Sequence, residues 1–282
     1  MSDLDKTISV NVLDISKFQG SNINFKQLKA DGIYGVVLRV NNPDNPISKD
    51  PCYERNYYDA VAAGLHVGCY WFVQAVTMDF AKQELAKYLE FIKGKKFDLP
   101  VYFDIELSKQ FELGSKFCTN LVKYLCLTAQ SAGYFVGVYC STYYYTKYVS
   151  ADVRNTYACW IADWRHSCGY TGQYGMWQYG TIKTKGINNG NTDVDANKLY
   201  VNYPVAIKDR GLNGYSKKGQ NRYKANKSCC TLKGNSNKPD VYGPYSAGAQ
   251  WTIDKIVTVG NIKYGHIYNS DKWIDMRDVE EV

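Results

Sequence analysis

The sequence predicts an α/β protein, an irregular β/α barrel of eight strands with helices mainly in its first half, followed by a small all-β domain. Three observations predict it. Eight short runs rich in β-branched and aromatic residues recur before residue 200, as expected of strands buried on both faces of a parallel sheet. Amphipathic stretches separate the early runs and shrink or vanish after the fifth. The last 55 or so residues hold only short strand-like pieces between Gly, Pro and Asn turns.

The runs are NVLDIS at 11–16, GVVLRV at 35–40, HVGCYWFV at 66–73, PVYFDIE at 100–106, YFVGVYC at 134–140, YACWIADW at 157–164, GMWQYG at 175–180 and NTDVD at 191–195. Helices are predicted over 51–64, 77–94 and 113–132. Thr77 is a capping residue opening the second, and Leu121, Val122, Leu125 and Ala129 fall at helical spacing in the third. From Lys208 to Lys227 the chain carries seven basic residues and one acidic residue among Gly, Asn and Ser, too few apolar groups to order itself by burial. The expected organisation is therefore a barrel domain at 1–207, a basic linker at 208–227 and a small β domain at 228–282.

With 45% hydrophobic and 22% charged residues among 282, the chain has the composition of a globular protein rather than a disordered one. Its excess is aromatic, with 26 Tyr, 10 Phe and 6 Trp, which favours a binder of sugar rings or other flat faces without naming one. No apolar run approaches the roughly 18–20 residues of a membrane span, so no membrane insertion is expected. The opening residues lack a basic and then apolar secretory pattern, so synthesis in the cytoplasm is expected. Nine cysteines include no CxxC pair, and the three histidines are scattered, so no metal is expected. Most cysteines lie in apolar runs and read as buried reduced thiols, with redox chemistry left open only at Cys229 and Cys230. The basic stretch lacks helical periodicity, so no nucleic-acid partner is expected; an anionic polymer surface suits its net charge of +6 equally well.

In a β/α barrel the chemistry lies at the C-terminal ends of the strands. Four carboxylates stand at the ends of predicted runs: Asp14, Asp104, Glu106 and Asp195. On a strand, Asp104 and Glu106 point the same way, about 6–7 Å apart at the backbone. Two carboxyls crowded in an apolar strand end cannot ionise independently, so one retains its proton and the other is an anion. Cleavage of a glycosidic bond uses that combination. A surface or ion-paired DxE is the competing reading. It loses weight because four such carboxylates are present, histidines are few, and no nucleophile elbow or phosphate loop occurs.

With these residues in view, the chain resembles glycoside hydrolase family 25, the muramidases. The motifs are LDISKFQG with D-x-S-x-x-Q, then G-x-x-V-G-x-Y-W-F at 64–72, VYFDIE, W-I-A-D-W, M-W-Q-Y and V-D-x-N at 194–197, in order across residues 11 to about 204. The one departure is Ala196, where the family usually has Leu. The resemblance implies that Glu106 is the general acid and that Asp104 orients or stabilises charge on the substrate's N-acetyl group. It also implies that Asp14 and Asp195 hold the network and the sugar or water. Tyr70, Tyr139, Trp160, Trp177 and Gln178 match positions lining the sugar groove, with barrel filling as the competing reading for the aromatics. No cofactor is implied, and retention or inversion stays open.

The tail, with Tyr242, Tyr245, Trp251, Tyr264, Tyr268 and Trp273, resembles a bacterial SH3-like module, which implies a cell-wall ligand and a targeting role. A small stabilising domain with aromatic core residues is its competing reading. The whole resembles a phage endolysin acting on peptidoglycan glycan strands. The bond expected to break is the β-1,4 link between N-acetylmuramic acid and N-acetylglucosamine. Such an enzyme is made in a Gram-positive host's cytoplasm and reaches the wall after a holin opens the membrane. The alternatives are a non-catalytic wall-binding protein, a hydrolase of chitin-like polymers, and an autolysin exported by an unusual route.

Overall fold

The computed structural model describes residues 8–20, 22–215, 221–233, 240–259, 261–267 and 272–281. The chain divides into two units, Met1–Ile207 and Lys208–Val282. In the first, eight strands close a barrel: β1 (Val10–Ile15), β2 (Gly35–Arg39), β5 (His66–Phe72), β6 (Val101–Asp104), β7 (Val136–Ser141), β8 (Ala158–Ala162), β9 (Met176–Lys183) and β10 (Asp193–Leu199). A rim hairpin, β3 (Asn41–Asn42) and β4 (Asn45–Lys49), follows β2. Seven strands run parallel from β1 through β9, and β10 closes the ring antiparallel to both β9 and β1.

The helices thin out along the chain, as the sequence predicts. They are α1 (Phe25–Ala30), α2 (Tyr53–Ala62), α3 (Met78–Ile92), α4 (Ser108–Glu112), α5 (Gly114–Ser131), α6 (Thr142–Tyr148), α7 (Ala151–Thr156) and α8 (Tyr203–Arg210), with no α-helix between β8 and β10. Helix α3 starts because the Thr77 hydroxyl accepts from Phe80 N at 3.2 Å, capping an otherwise unpaired donor. Its Ala81, Leu85, Tyr88 and Ile92 recur on one face and are buried against the barrel wall. Helix α5 does the same with Leu121, Val122, Leu125 and Ala129, each fully buried aliphatic side chain contributing about 2 kcal/mol.

Alternation along each strand sorts the barrel into two faces. One face, with Leu13, Val36, Leu38, Val67, Val101, Val138 and Ile161, packs into the core shared with the helices. The other points inward. Near the base the interior is apolar: the Tyr102 ring meets Trp160 edge-on at 5.1 Å, and both side chains are buried. Gly137 leaves room for that ring, since a Cβ there would stand 2.5 Å from Tyr102 Cδ1. Toward the C-terminal ends of the parallel strands the interior becomes polar, with Asp14, Arg39, Asp104, Gln178 and Asn197 all buried.

Cys69, Cys118, Cys126, Cys140 and Cys159 are buried, unbridged thiols, and dehydration pushes each thiol upward so that it stays protonated and unreactive. Among the described residues, no helix is long and apolar enough to cross a membrane.

The second unit carries an antiparallel seven-stranded sheet, comprising β11 (Asn221–Ala225), β12 (Cys229–Lys233), β13 (Asp240–Tyr245), β14 (Gln250–Val259), β15 (Ile262–Ile267), β16 (Lys272–Asp275) and β17 (Val279–Glu281). The expected linker at 208–227 needs correction, because α8 runs to Arg210 and β11 pairs with β14 and β17. Tyr223 and Ala225 supply the burial that orders β11, joining Cys229, Ile253 and Ile274 in the core. Of the tail aromatics, Tyr245 and Trp251 meet edge to face at 5.4 Å and pack on that core, and Trp273 lies 4.8 Å from His266. Tyr268 and the side chains of Tyr242 and Cys230 lie outside the described residues.

Replacing Gly137 with Ala overfills the barrel base and should destabilise the protein by about 1–3 kcal/mol, measured by urea unfolding. An unchanged midpoint would contradict the packing of Tyr102 against this position.

Candidate active site

The inward polar residues converge on one end of the barrel. Asp14 and Asp195 are direct cross-strand partners in the β1–β10 ladder. The sequence reading ends the last run at Asp195, whereas Asp195 is the third residue of β10. It reaches the same rim as the parallel strand ends because β10 runs the other way. A second correction concerns the DxE pair. Strand β6 stops at Asp104, where its pairing with Phe72 and Tyr139 ends, so Glu106 lies in the following loop, exposed at the mouth.

Asp14 Oδ2 accepts from Gln178 Nε2 at 3.1 Å and from Asn197 Nδ2 at 2.9 Å, and its carboxyl is hydrogen-bonded to that of Asp195. Burial, then the neighbouring Asp195 charge, pushes Asp14 up to about 7, against the pull of the two amides. Burial also raises Asp195. The pair therefore holds a shared proton near neutrality, with Asp14 as its principal carrier.

Asp104 is 5% exposed, and its Oδ1 has no hydrogen-bond partner among the described residues. Burial raises its carboxyl well above the usual range, Glu106 and Asp14 add to the rise, and the Arg39 guanidinium opposes it. Glu106 is open to water yet hemmed in by the walls of the mouth. That partial dehydration raises it, with the Asp195 charge second. The arrangement is chemically specific: an accessible carboxyl inclined to keep its proton, beside a buried carboxyl with one oxygen still unpaired.

Each of these groups is held by neighbours. Gln178 Oε1 accepts from the Tyr139 hydroxyl at 2.9 Å and Trp164 Nε1 at 3.0 Å, which turns its amide nitrogen toward Asp14. A bulge in β9 between Gln178 and Gly180 aims that side chain inward, and Gly180 takes φ 149°, a conformation suited to glycine. Asn197 is completely buried, accepting from Trp160 Nε1 at 2.7 Å and donating to Val12 O and Asp14 Oδ2. Arg39 donates through Nε and Nη2 to Asp50 Oδ2, at 3.3 and 2.9 Å, and Asp50 also accepts from Lys17 N and Cys52 N. In the D-x-S-x-x-Q motif, Ser16 and Gln19 form a capping box around the turn Lys17–Gln19. That turn presents Phe18, 70% exposed, with its ring 4.9 Å from the Arg39 guanidinium.

The groove positions divide. Tyr70 and Tyr139 are half-buried and face inward, both edge-on to Trp160 at 5.8 and 4.6 Å. Trp160 is 1% exposed, so it forms the floor beneath the mouth and cannot stack on a sugar. Trp177 alternates with Gln178 and therefore faces away from the barrel interior, packed on the outer core with Nε1 on Asp163 O. Gln178 is 3% exposed with its polar atoms taken by protein, so it positions Asp14 rather than touching solvent. The sequence reading passed over Arg39, Asp50, Asn197, Phe18 and Trp164. A lone arginine inside GVVLRV and the Asn closing V-D-x-N were the available signals; for Asp50 there was none. Among the described residues no group of His, Cys, Asp and Glu side chains is arranged to hold a metal ion.

Residues 13–187 match the model of the glycosyl hydrolases family 25. This chain belongs to that family. Its first unit is similar in fold to the CTP1L endolysin, with TM-score 0.59, 22% identity and coverage of 71% of this chain and 69% of that one. It is also similar to the modular autolysin LytC of Streptococcus pneumoniae, solved with a synthetic peptidoglycan ligand, with TM-score 0.59, 20% identity and coverage of 68% and 47%. A bacterial lysozyme from Streptomyces coelicolor gives TM-score 0.56 at 21% identity, covering 68% of this chain and 93% of that chain. No curated protein sequence matches the chain.

Because folding raises the Asp14 pKa from 3.8 to about 7, the stability tied to its proton is complete at acid pH and is lost as pH rises through about 7. Asp14→Asn keeps an acceptor for the two amides and a donor for Asp195, so it mimics the protonated state permanently. It should stabilise the protein on the order of 2–4 kcal/mol at pH 8 and by less at pH 5, read from thermal unfolding at both. Equal effects at the two pH values would refute the shared proton.

Proposed function

We propose that this family 25 enzyme is a muramidase, cleaving the β-1,4 bond between N-acetylmuramic acid and N-acetylglucosamine in peptidoglycan. The observation that carries the reading is the pairing of an exposed Glu106, its pKa raised by partial dehydration and the Asp195 charge, with the buried, half-unpaired Asp104 at the barrel mouth. Glu106 acts as general acid, giving its proton to the leaving glycosidic oxygen. Asp104 Oδ1 needs a donor once buried under substrate, and the N–H of the sugar's N-acetyl group is such a donor. Held by Asp104, the acetamido group is oriented beside the bond that breaks. Asp14 and Asp195, sharing one proton, keep a negative charge close to Glu106 and so preserve its proton between turnovers. Tyr70, Tyr139 and Phe18 border the sugar path.

The second unit is proposed to be an SH3-like cell-wall-binding domain that keeps the enzyme on its insoluble substrate. The complete protein is proposed to act as a phage endolysin, made in a Gram-positive host's cytoplasm and reaching the wall once a holin has opened the membrane. The endolysin among the structural neighbours supports this setting, and the peptidoglycan ligand solved with LytC supports the substrate class.

Purified Gram-positive peptidoglycan digested by the wild type should yield fragments with N-acetylmuramic acid at the new reducing ends, identified by mass spectrometry. Glu106→Gln should lower that release by about 10²–10⁴-fold, the range for loss of a positioned acid. Reducing N-acetylglucosamine, or an unimpaired variant, would overturn the assignment.

A further inference from the structure

Beside the barrel mouth the first unit has a groove of about 750 Å³, between the segment that follows β7 and the loop that follows β8. It continues past Thr146 and Lys147, which line both spaces, into a hollow of about 420 Å³ beside the start of α5. Two large aromatic side chains stand open to solvent on it, Tyr143 at 59% exposure and Trp164 at 58%. Trp164 also ties the groove to the mouth, because its Nε1 donates to Gln178 Oε1, and Gln178 in turn donates to Asp14.

The charge on this surface is mostly positive. Lys116, Lys147, Arg154 and Arg165 line the two spaces, and among the described lining residues Asp163 is the sole carboxylate. Asp163 is already engaged by Arg165, the Thr142 hydroxyl and Gly169 N. The Lys147 ammonium donates to the Tyr143 hydroxyl at 2.7 Å, and among the described residues no carboxylate is paired with it. A track with flat apolar faces near the mouth and uncompensated cations farther along fits a short acidic peptide. It does not fit another neutral sugar.

We propose that this groove seats the peptide stem carried on the lactyl group of the muramic acid unit, with its carboxylates on Lys147 and Lys116 and its backbone against Tyr143 and Trp164. The inference rests on the muramidase reading above. The stem is covalently attached to a sugar bound in the mouth, so a surface continuous with the mouth meets it at high effective concentration and needs only weak contacts. The groove thereby makes the enzyme prefer peptide-bearing glycan over bare glycan.

The test compares kcat/KM of the full chain on wall glycan with its stems and on glycan stripped of them by an amidase, both freed of phosphate polymers. The wild type should favour the stem-bearing glycan by about tenfold, the size of one or two charge-assisted contacts, seen mainly in KM. The exposed pair Lys116→Met with Lys147→Met should bring that ratio to within about twofold of parity, and Tyr143→Leu alone should also lower it. A wild type without preference, or a double variant that keeps it, overturns the proposal. So does a discrimination that appears only on wall retaining its phosphate polymers, which would assign the groove to those polymers. Absence of cleavage on both substrates would instead remove the muramidase reading beneath it.

Discussion

The antiparallel insertion of β10 between β9 and β1 is the constraint on which the rest of the first unit depends. Seven parallel strands leave a gap between β9 and β1, and β10 fills it with two ladders at once. Because it enters the ring from the mouth, its first residues, and not its last, reach the rim where the carboxyls gather. The register sets Asp195 opposite Asp14, and the bulge beyond Ala196 sets Asn197 opposite Gln178. One strand therefore closes the barrel and completes the carboxyl cluster. A register slip of one residue would turn Asp195 and Asn197 to the outer core and leave Trp160 Nε1 without its acceptor.

Closure gathers more negative than positive charge in a space with little water. Among the described residues Arg39 is the only buried cation, and it is already bonded to Asp50. Asp14, Asp104, Glu106 and Asp195 are all displaced upward, with dehydration first in every case and mutual repulsion acting on three of them. The cluster lowers its energy by keeping protons rather than by recruiting cations. The same strain that costs stability at alkaline pH would supply the acid that the proposed glycosidic cleavage needs. The surrounding amides and indoles from Gln178, Asn197, Trp160 and Trp164 fix the geometry without neutralising the charge.

All eight barrel strands were legible, because runs such as GVVLRV and VYFDIE are apolar on both faces. The end of β10 was not, since its inward Asn197 and its Lys198 break the apolar pattern that announced the other strands. Helices α2, α3 and α5 have enough turns to show a periodic face; α1, α4, α6 and α7 are 5–7 residues each and do not. Strand β11 was hidden because Arg222 and Lys224 flank Tyr223 and masked an ordinary alternation. The four carboxylates were visible as residue types at strand ends. Which aromatics face the mouth was not, because Trp160 and Trp177 differ only in depth and in the face they occupy. Arg39 and Asp50 form a pair across eleven positions that no local pattern links.

The central claim is that crowding at the mouth, and not Glu106 alone, keeps the acid protonated. Titration of Glu106 by carboxyl ¹³C NMR in the full protein, with and without Asp195→Asn, tests it most directly. The account predicts a native Glu106 titrating above its ordinary 4.5 and moving downward when the Asp195 charge is removed. A Glu106 that titrates at or below 4.5, or that ignores the loss of Asp195, would contradict it.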